Sequence, residues 1–211
     1  MLHTSTVTGE TLKLLKELMQ DEKMKNFYLA GETALSLYMG HRKSIDLDLF
    51  SPKEFDNQIL KDYLVEFYNF QLRHIEKNTL KGIINGVQVD CITHKYPISK
   101  IEDIDGIRLY SIEDIAAMKL SAIANNGTRL KDFIDIAYLS SKLSLNEMLN
   151  AYENKYINSP RILPMKGLGF YNDINFKEPI NLKNGKFDWK IIEKRLSEMA
   201  KHENKVFPEM G

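Results

Sequence analysis

The chain has 211 residues with 29 Lys plus Arg against 29 Asp plus Glu, so its net charge is zero and no bulk basic field marks it as a general nucleic-acid binder. A hydrophobic fraction of 43% is enough to bury a core, which argues against an intrinsically disordered chain, and the length suits one medium domain or two small ones. The single Cys91 excludes an internal disulfide; with no long apolar run and no signal-peptide pattern, the expectation is a soluble cytoplasmic protein with no membrane association.

In chain order, Leu12, Leu15 and Met19 share a face and predict a helix from about Thr8 to Asp21. Phe27 to Gly31 suits a short buried strand closed by a glycine turn. Ala34, Leu35, Leu37, Tyr38 and Met39 then recur at helical spacing over Glu32 to Met39, and Gly40 ends that helix. After the basic patch His41, Arg42, Lys43 comes Ile45-Asp46-Leu47-Asp48-Leu49-Phe50, whose strict alternation predicts a strand with Ile45, Leu47 and Leu49 facing the core. Ser51-Pro52-Lys53-Glu54 reads as a capping box opening a helix to about Tyr68. Phe70 to Ile75 and Leu80 to Ile84 read as strands, and Asn85-Gly86 predicts a hairpin that returns through Val87, Val89 and Cys91. From Ser111 the pattern turns helical: a helix capped at Ser111 and carrying Lys119, a second over about Arg129 to Ser141, a third capped by Ser144 and Glu147, and a last from about Trp189 to His202. Pro160 and Pro164 bracket a short helical or irregular stretch, and the aromatics Tyr152, Tyr156, Phe170, Tyr171 and Trp189 read as core or as a base-stacking surface.

Asp46 and Asp48 break the rule that aspartate avoids strands, and such violations mark sites. Two carboxylates two residues apart on a strand point the same way and repel unless a cation lies between them. Mg²⁺ takes one or two carboxylates together with substrate phosphates and water, and the strand-glycine-helix segment just upstream offers N–H groups and a helix dipole to a phosphate. Asp90 stands opposite in phase to Val89, as Asp46 does to Leu47, and by itself reads as a solvated aspartate at a strand end. The competing reading is a pair of aspartates on the solvated face of an antiparallel strand.

These residues carry a resemblance. Hydrophobic residue, glycine and small helix followed by Asp-hydrophobic-Asp-hydrophobic is similar to the signature of the DNA polymerase β-like nucleotidyltransferase superfamily. The strings L-A-G-E-T-A-L-S-L and G-H-R-K-S-I-D-L-D-L-F resemble its AbiEii/AbiGii-type branch, many members of which are toxins of toxin–antitoxin or phage-defence systems. The resemblance covers about Phe27 to Leu139 and departs from the usual pattern at Glu32, which stands where a second glycine is commonest. It implies an α+β fold, a small mixed β-sheet flanked by helices over residues 1–110, with a C-terminal helical region over 111–211 that closes over the nucleotide.

The activity so implied is Mg²⁺- or Mn²⁺-dependent transfer of a nucleoside monophosphate from a nucleoside triphosphate to an acceptor hydroxyl, RNA or a tRNA end being one acceptor and a cognate antitoxin one partner. Asp46, Asp48 and Asp90 would be the metal-binding catalytic set, and Gly31 and Thr33 the phosphate cradle beside Glu32 and Arg42. Lys119 and Lys131-Asp132-Phe133-Ile134-Asp135 match the family's lysine and its basic-Asp-x-x-Asp stretch, which places Lys119, Lys131, Asp132 and Asp135 at the nucleotide. Alternatives left open are a protein or small-molecule acceptor, a non-catalytic nucleotide- or partner-binding domain, and an interaction protein whose acidic strand meets a basic partner.

Overall fold

The computed structural model describes residues 1–183 and 187–210. It divides into two compact units, Met1–Tyr110 and Ser111–Gly211. The fold is mixed α+β, with seven strands and eight α-helices among the described residues.

The first unit is built on one seven-stranded sheet in the order β3-β4-β5-β2-β1-β7-β6. Its strands are β1 (Tyr28–Leu29), β2 (Leu47–Ser51), β3 (Gln71–Glu76), β4 (Thr79–Ile84), β5 (Val87–Thr93), β6 (Ile101–Ile104) and β7 (Ile107–Tyr110). The sheet is mixed, because β2 runs parallel to β5 and β1 parallel to β7, while β1 and β2 are antiparallel. Leu29, Leu47, Leu49, Val89, Cys91 and Leu109 line its middle with no exposure, and cutting any one of the four leucines back to alanine costs about 2–5 kcal/mol at such sites.

Three helices join the sheet: α1 (Gly9–Gln20), α2 (Gly31–Met39) and α3 (Asn57–Tyr68). Thr8 caps α1 through the Thr11 N–H, and Leu14, Leu15, Leu18 and Met19 form its buried seam. The Arg108 guanidinium on β7 donates to the carbonyls of Met19 and Met24, satisfying acceptors where α1 and the next turn end.

Burial also settles the state of Cys91, whose thiol is pushed well above its ordinary pKa by desolvation and by the adjacent Asp90 charge. A neutral, enclosed thiol is not a nucleophile. In the native protein at pH 8, Cys91 is therefore expected to resist a disulfide-exchange reagent and to react fully once guanidinium unfolds the chain; rapid native modification, read by absorbance, contradicts this burial.

Two expectations need correction, and one hairpin was not expected. Ile45 does not face the core but is 59% exposed, because the strand starts only at Leu47 and leaves Ile45 and Asp46 in the loop before it. The helix expected from Ser51 starts at Asn57. Ser51 is still in β2, and its hydroxyl closes a turn with Lys53, while Asp56 supplies the cap by accepting from the Gln58 and Ile59 N–H groups. The hairpin of β6 and β7 lay outside the expected elements, although Asp105-Gly106 at its tip, with φ of 56° and 77°, is the same kind of turn as Asn85-Gly86.

The second unit is helical: α4 (Ile112–Asn125), α5 (Leu130–Leu139), α6 (Leu145–Lys155), α7 (Ile162–Leu168) and α8 (Trp189–Lys201). The expected Ser111 cap and the Ser144–Glu147 capping box are both present. Helix α4 packs against α5, α6 and α7, and α5 against α8. Tyr152 is core, and Tyr171, Trp189, Phe133 and Phe176 form an edge-to-face cluster within this unit. No helix among the described residues is long and apolar enough to cross a membrane.

Candidate active site

The turn from β1 into α2 is set by Gly31. Its φ is +64°, a conformation that disfavours L side chains, and a Cβ there would stand 2.2 Å from Oδ2 of Asp48. The missing side chain is thus the space that the Asp48 carboxyl fills, at the N-terminal end of α2, where the helix dipole favours negative charge. The Ala30 N–H donates to the Asp48 carbonyl at 2.9 Å, which fixes the strand against the turn.

Thr33, fully buried on α2, points its hydroxyl at the loop before β2, donating to the Asp46 carbonyl and lying 2.8 Å from the Ser44 hydroxyl. It thereby holds the backbone that carries Asp46, whose side chain is exposed. Glu32 answers the question raised by its place in the motif: its carboxylate lies 3.2 Å from Arg42, whose side chain is only 2% exposed. The acid beside the glycine turn is neutralised by its own arginine, which also stands 3.5 Å from the Lys43 carbonyl.

Strand β5 brings the third carboxylate. Asp48 and Asp90 are register partners on neighbouring parallel strands, so both lie on one face of the sheet, roughly 4.8 Å apart at the backbone. Asp90 is buried, and Lys81, its register partner on β4, places Nζ 2.8 Å from Oδ2, with the Gln88 amide 3.4 Å from Oδ1. Lys81 was not among the sequence candidates. The signal was there: a two-residue turn at Asn85-Gly86 pairs Ile84 with Val87 and, stepping back along both strands, Lys81 with Asp90.

The remaining candidates lie in the second unit. Lys119 on α4 is buried and stands 2.6 Å from Asp132 Oδ1 and 2.8 Å from Asp135 Oδ2; the three-residue spacing puts both acids on one face of α5. Arg129 approaches Asp132 at 3.8 Å, and Lys131 pairs instead with Glu178 at 3.3 Å. A second buried pair, Lys155 with Asp114 at 2.7 Å, ties α6 to α4. Its members are 41 residues apart and carry no local sequence signal.

Asp46, Asp48 and Asp90 offer hard oxygen donors, which suit a magnesium-type cation, and such an ion needs only one or two carboxylates when it arrives with phosphates. The Asp48 carboxyl lodged beside Gly31 and the ammonium already balancing Asp90 both fit a face that takes positive charge. Among the described residues no three His, Cys, Asp or Glu side chains are gathered so as to hold a metal by themselves.

This glycine turn, helix and pair of adjacent acidic strands belong to a nucleotidyltransferase fold. A Helicobacter pylori protein described as a candidate nucleotidyltransferase superposes with a TM-score of 0.55 at 18% identity over 93% of this chain and 96% of its own. The Mycobacterium tuberculosis H37Rv nucleotidyltransferase toxin MenT4 does so with a TM-score of 0.59 at 14% identity over 89% and 79%. The model of the family described as nucleotidyl transferase AbiEii toxin, type IV TA system, matches residues 13–106 and 93–207, and the chain belongs to that family of nucleotidyltransferases. A relative from Aquifex aeolicus (strain VF5), described as an uncharacterized protein, is 33% identical over 156 residues, covering 70% of this chain and 75% of that one.

Proposed function

We propose that this nucleotidyltransferase moves a nucleoside monophosphate from a nucleoside triphosphate to an acceptor hydroxyl on RNA, in a Mg²⁺-dependent reaction, as the toxin of a toxin–antitoxin or phage-defence pair acting in the cytoplasm. The observation that carries the reading is the in-register pair Asp48 and Asp90 beside the Gly31 turn, in a chain of the AbiEii family.

Asp46 and Asp48 would hold the divalent cation, with Asp90 completing the set; when bound, the cation would neutralise the triphosphate and polarise the α-phosphoryl group. The chain's own residues do the rest. Asp90 accepts the proton of the acceptor hydroxyl as its oxygen bonds to the α-phosphorus, and the bond from that phosphorus to the β-bridging oxygen breaks, its electron pair leaving with pyrophosphate. Gly31 lets the α2 N-terminus lie close to the phosphates, and Thr33 and the Glu32–Arg42 pair fix that end of the helix.

The test incubates the intact protein with each α-labelled triphosphate, Mg²⁺ and total cellular RNA. Label in RNA that vanishes with chelator is the expected result. Label confined to protein or to a small molecule overturns the acceptor assignment, and tight nucleotide binding without transfer to any acceptor class overturns the reaction itself.

A further inference from the structure

We propose that Lys81 is an internal counter-ion that holds the Asp90 carboxylate in the cation-free protein and releases it when a divalent cation enters. This rests on the functional reading above and assigns a positioning role to a residue outside the family motif.

The register makes a single row across one face of the sheet, Asp48 on β2, Asp90 on β5, Lys81 on β4 and His74 on β3. Within it the ion pair is unequal. The Asp90 side chain is 6% exposed, and a carboxylate so enclosed needs a positive partner. The Lys81 side chain is 41% exposed, carries its charge on a flexible stem and makes one 2.8 Å contact, so returning it to water costs little. Asp90 therefore depends on a positive neighbour more than Lys81 depends on Asp90.

One member of the proposed set, Asp90, is engaged by an ammonium. A free cation must displace Lys81 and binds weakly, while a cation carried on a triphosphate brings extra ligands and wins Asp90. Lys81 thus couples assembly of the site to arrival of the nucleotide.

Mn²⁺ affinity of the full chain without nucleotide, read by electron paramagnetic resonance, tests this. Lys81→Met is expected to tighten binding about tenfold and Lys81→Arg to restore weak binding. In an Asp90→Asn background Lys81→Met is expected to change nothing, because the competition has been removed. In parallel, Mn²⁺ should raise the acetylation rate of Lys81 several-fold by mass spectrometry while that of Lys95, paired with Glu54, stays constant. Equal affinity of wild type and Lys81→Met, or equal tightening in both backgrounds, overturns the proposal and leaves the reaction untouched. Absence of Mn²⁺ binding by every form, with triphosphate present as well, removes the functional reading and this one together.

Discussion

Gly31→Ala is expected to cost about 1–3 kcal/mol of stability and to lower nucleotidyl transfer by about a hundredfold or more. Two effects add. Alanine pays for a φ of +64°, and its methyl group would fall 2.2 Å from Asp48 Oδ2, so either the carboxyl or the turn has to move. Displacements of about 1 Å in a reacting constellation are enough for a hundredfold loss. Gly86→Ala provides the control, since Gly86 has a φ of +80° and open space around an added Cβ. It should show a similar stability loss by chemical denaturation with transfer unchanged. Equal transfer by wild type and Gly31→Ala would show that the turn does not position Asp48.

Lys119→Met is expected to destabilise the helical unit by about 3–5 kcal/mol, enough to unfold it near physiological temperature. The substitution leaves Asp132 and Asp135, both essentially without exposure, facing each other across the space of a lost ammonium. Removing the acids as well, in Lys119→Met with Asp132→Asn and Asp135→Asn, should recover most of that stability, since buried polar groups tolerate neutral neighbours far better than an uncompensated charge. Denaturation followed by circular dichroism reads both variants. A single Lys119→Met variant as stable as wild type would show that the triad is not an obligate structural element.

How far the sequence exposed this arrangement depended on the range of each signal. Local chemistry was legible: the Ser111 and Ser144 caps, the left-handed Gly40 after α2 and the Asn85-Gly86 turn all act within a few residues. Asp48 and Asp90 could be read as facing one way, because strand alternation fixes the face of each. That they are direct neighbours depends on the parallel pairing of β2 with β5, which no local pattern encodes.

Ser51 misled because a serine that ends a strand and one that caps a helix share the same neighbours. Here Ser51 pairs with Thr93 and its carbonyl accepts from His94, so the sheet takes it. Ile45 misled because alternation continues in sequence beyond the point where pairing stops. Among the charged residues, Glu32 with Arg42 and Lys155 with Asp114 became partners only through the fold, whereas Lys81 opposite Asp90 was missed although counting back along the hairpin pairs them.

The most direct measurement of the central claim is transfer of α-labelled nucleotide by wild type, Asp48→Asn and Asp90→Asn at saturating Mg²⁺. Each isosteric change removes one charge from the in-register pair while keeping its shape. Both variants are predicted to stay folded and to lose transfer by about a hundred- to a thousandfold. Folded variants that transfer label at the wild-type rate would contradict the account.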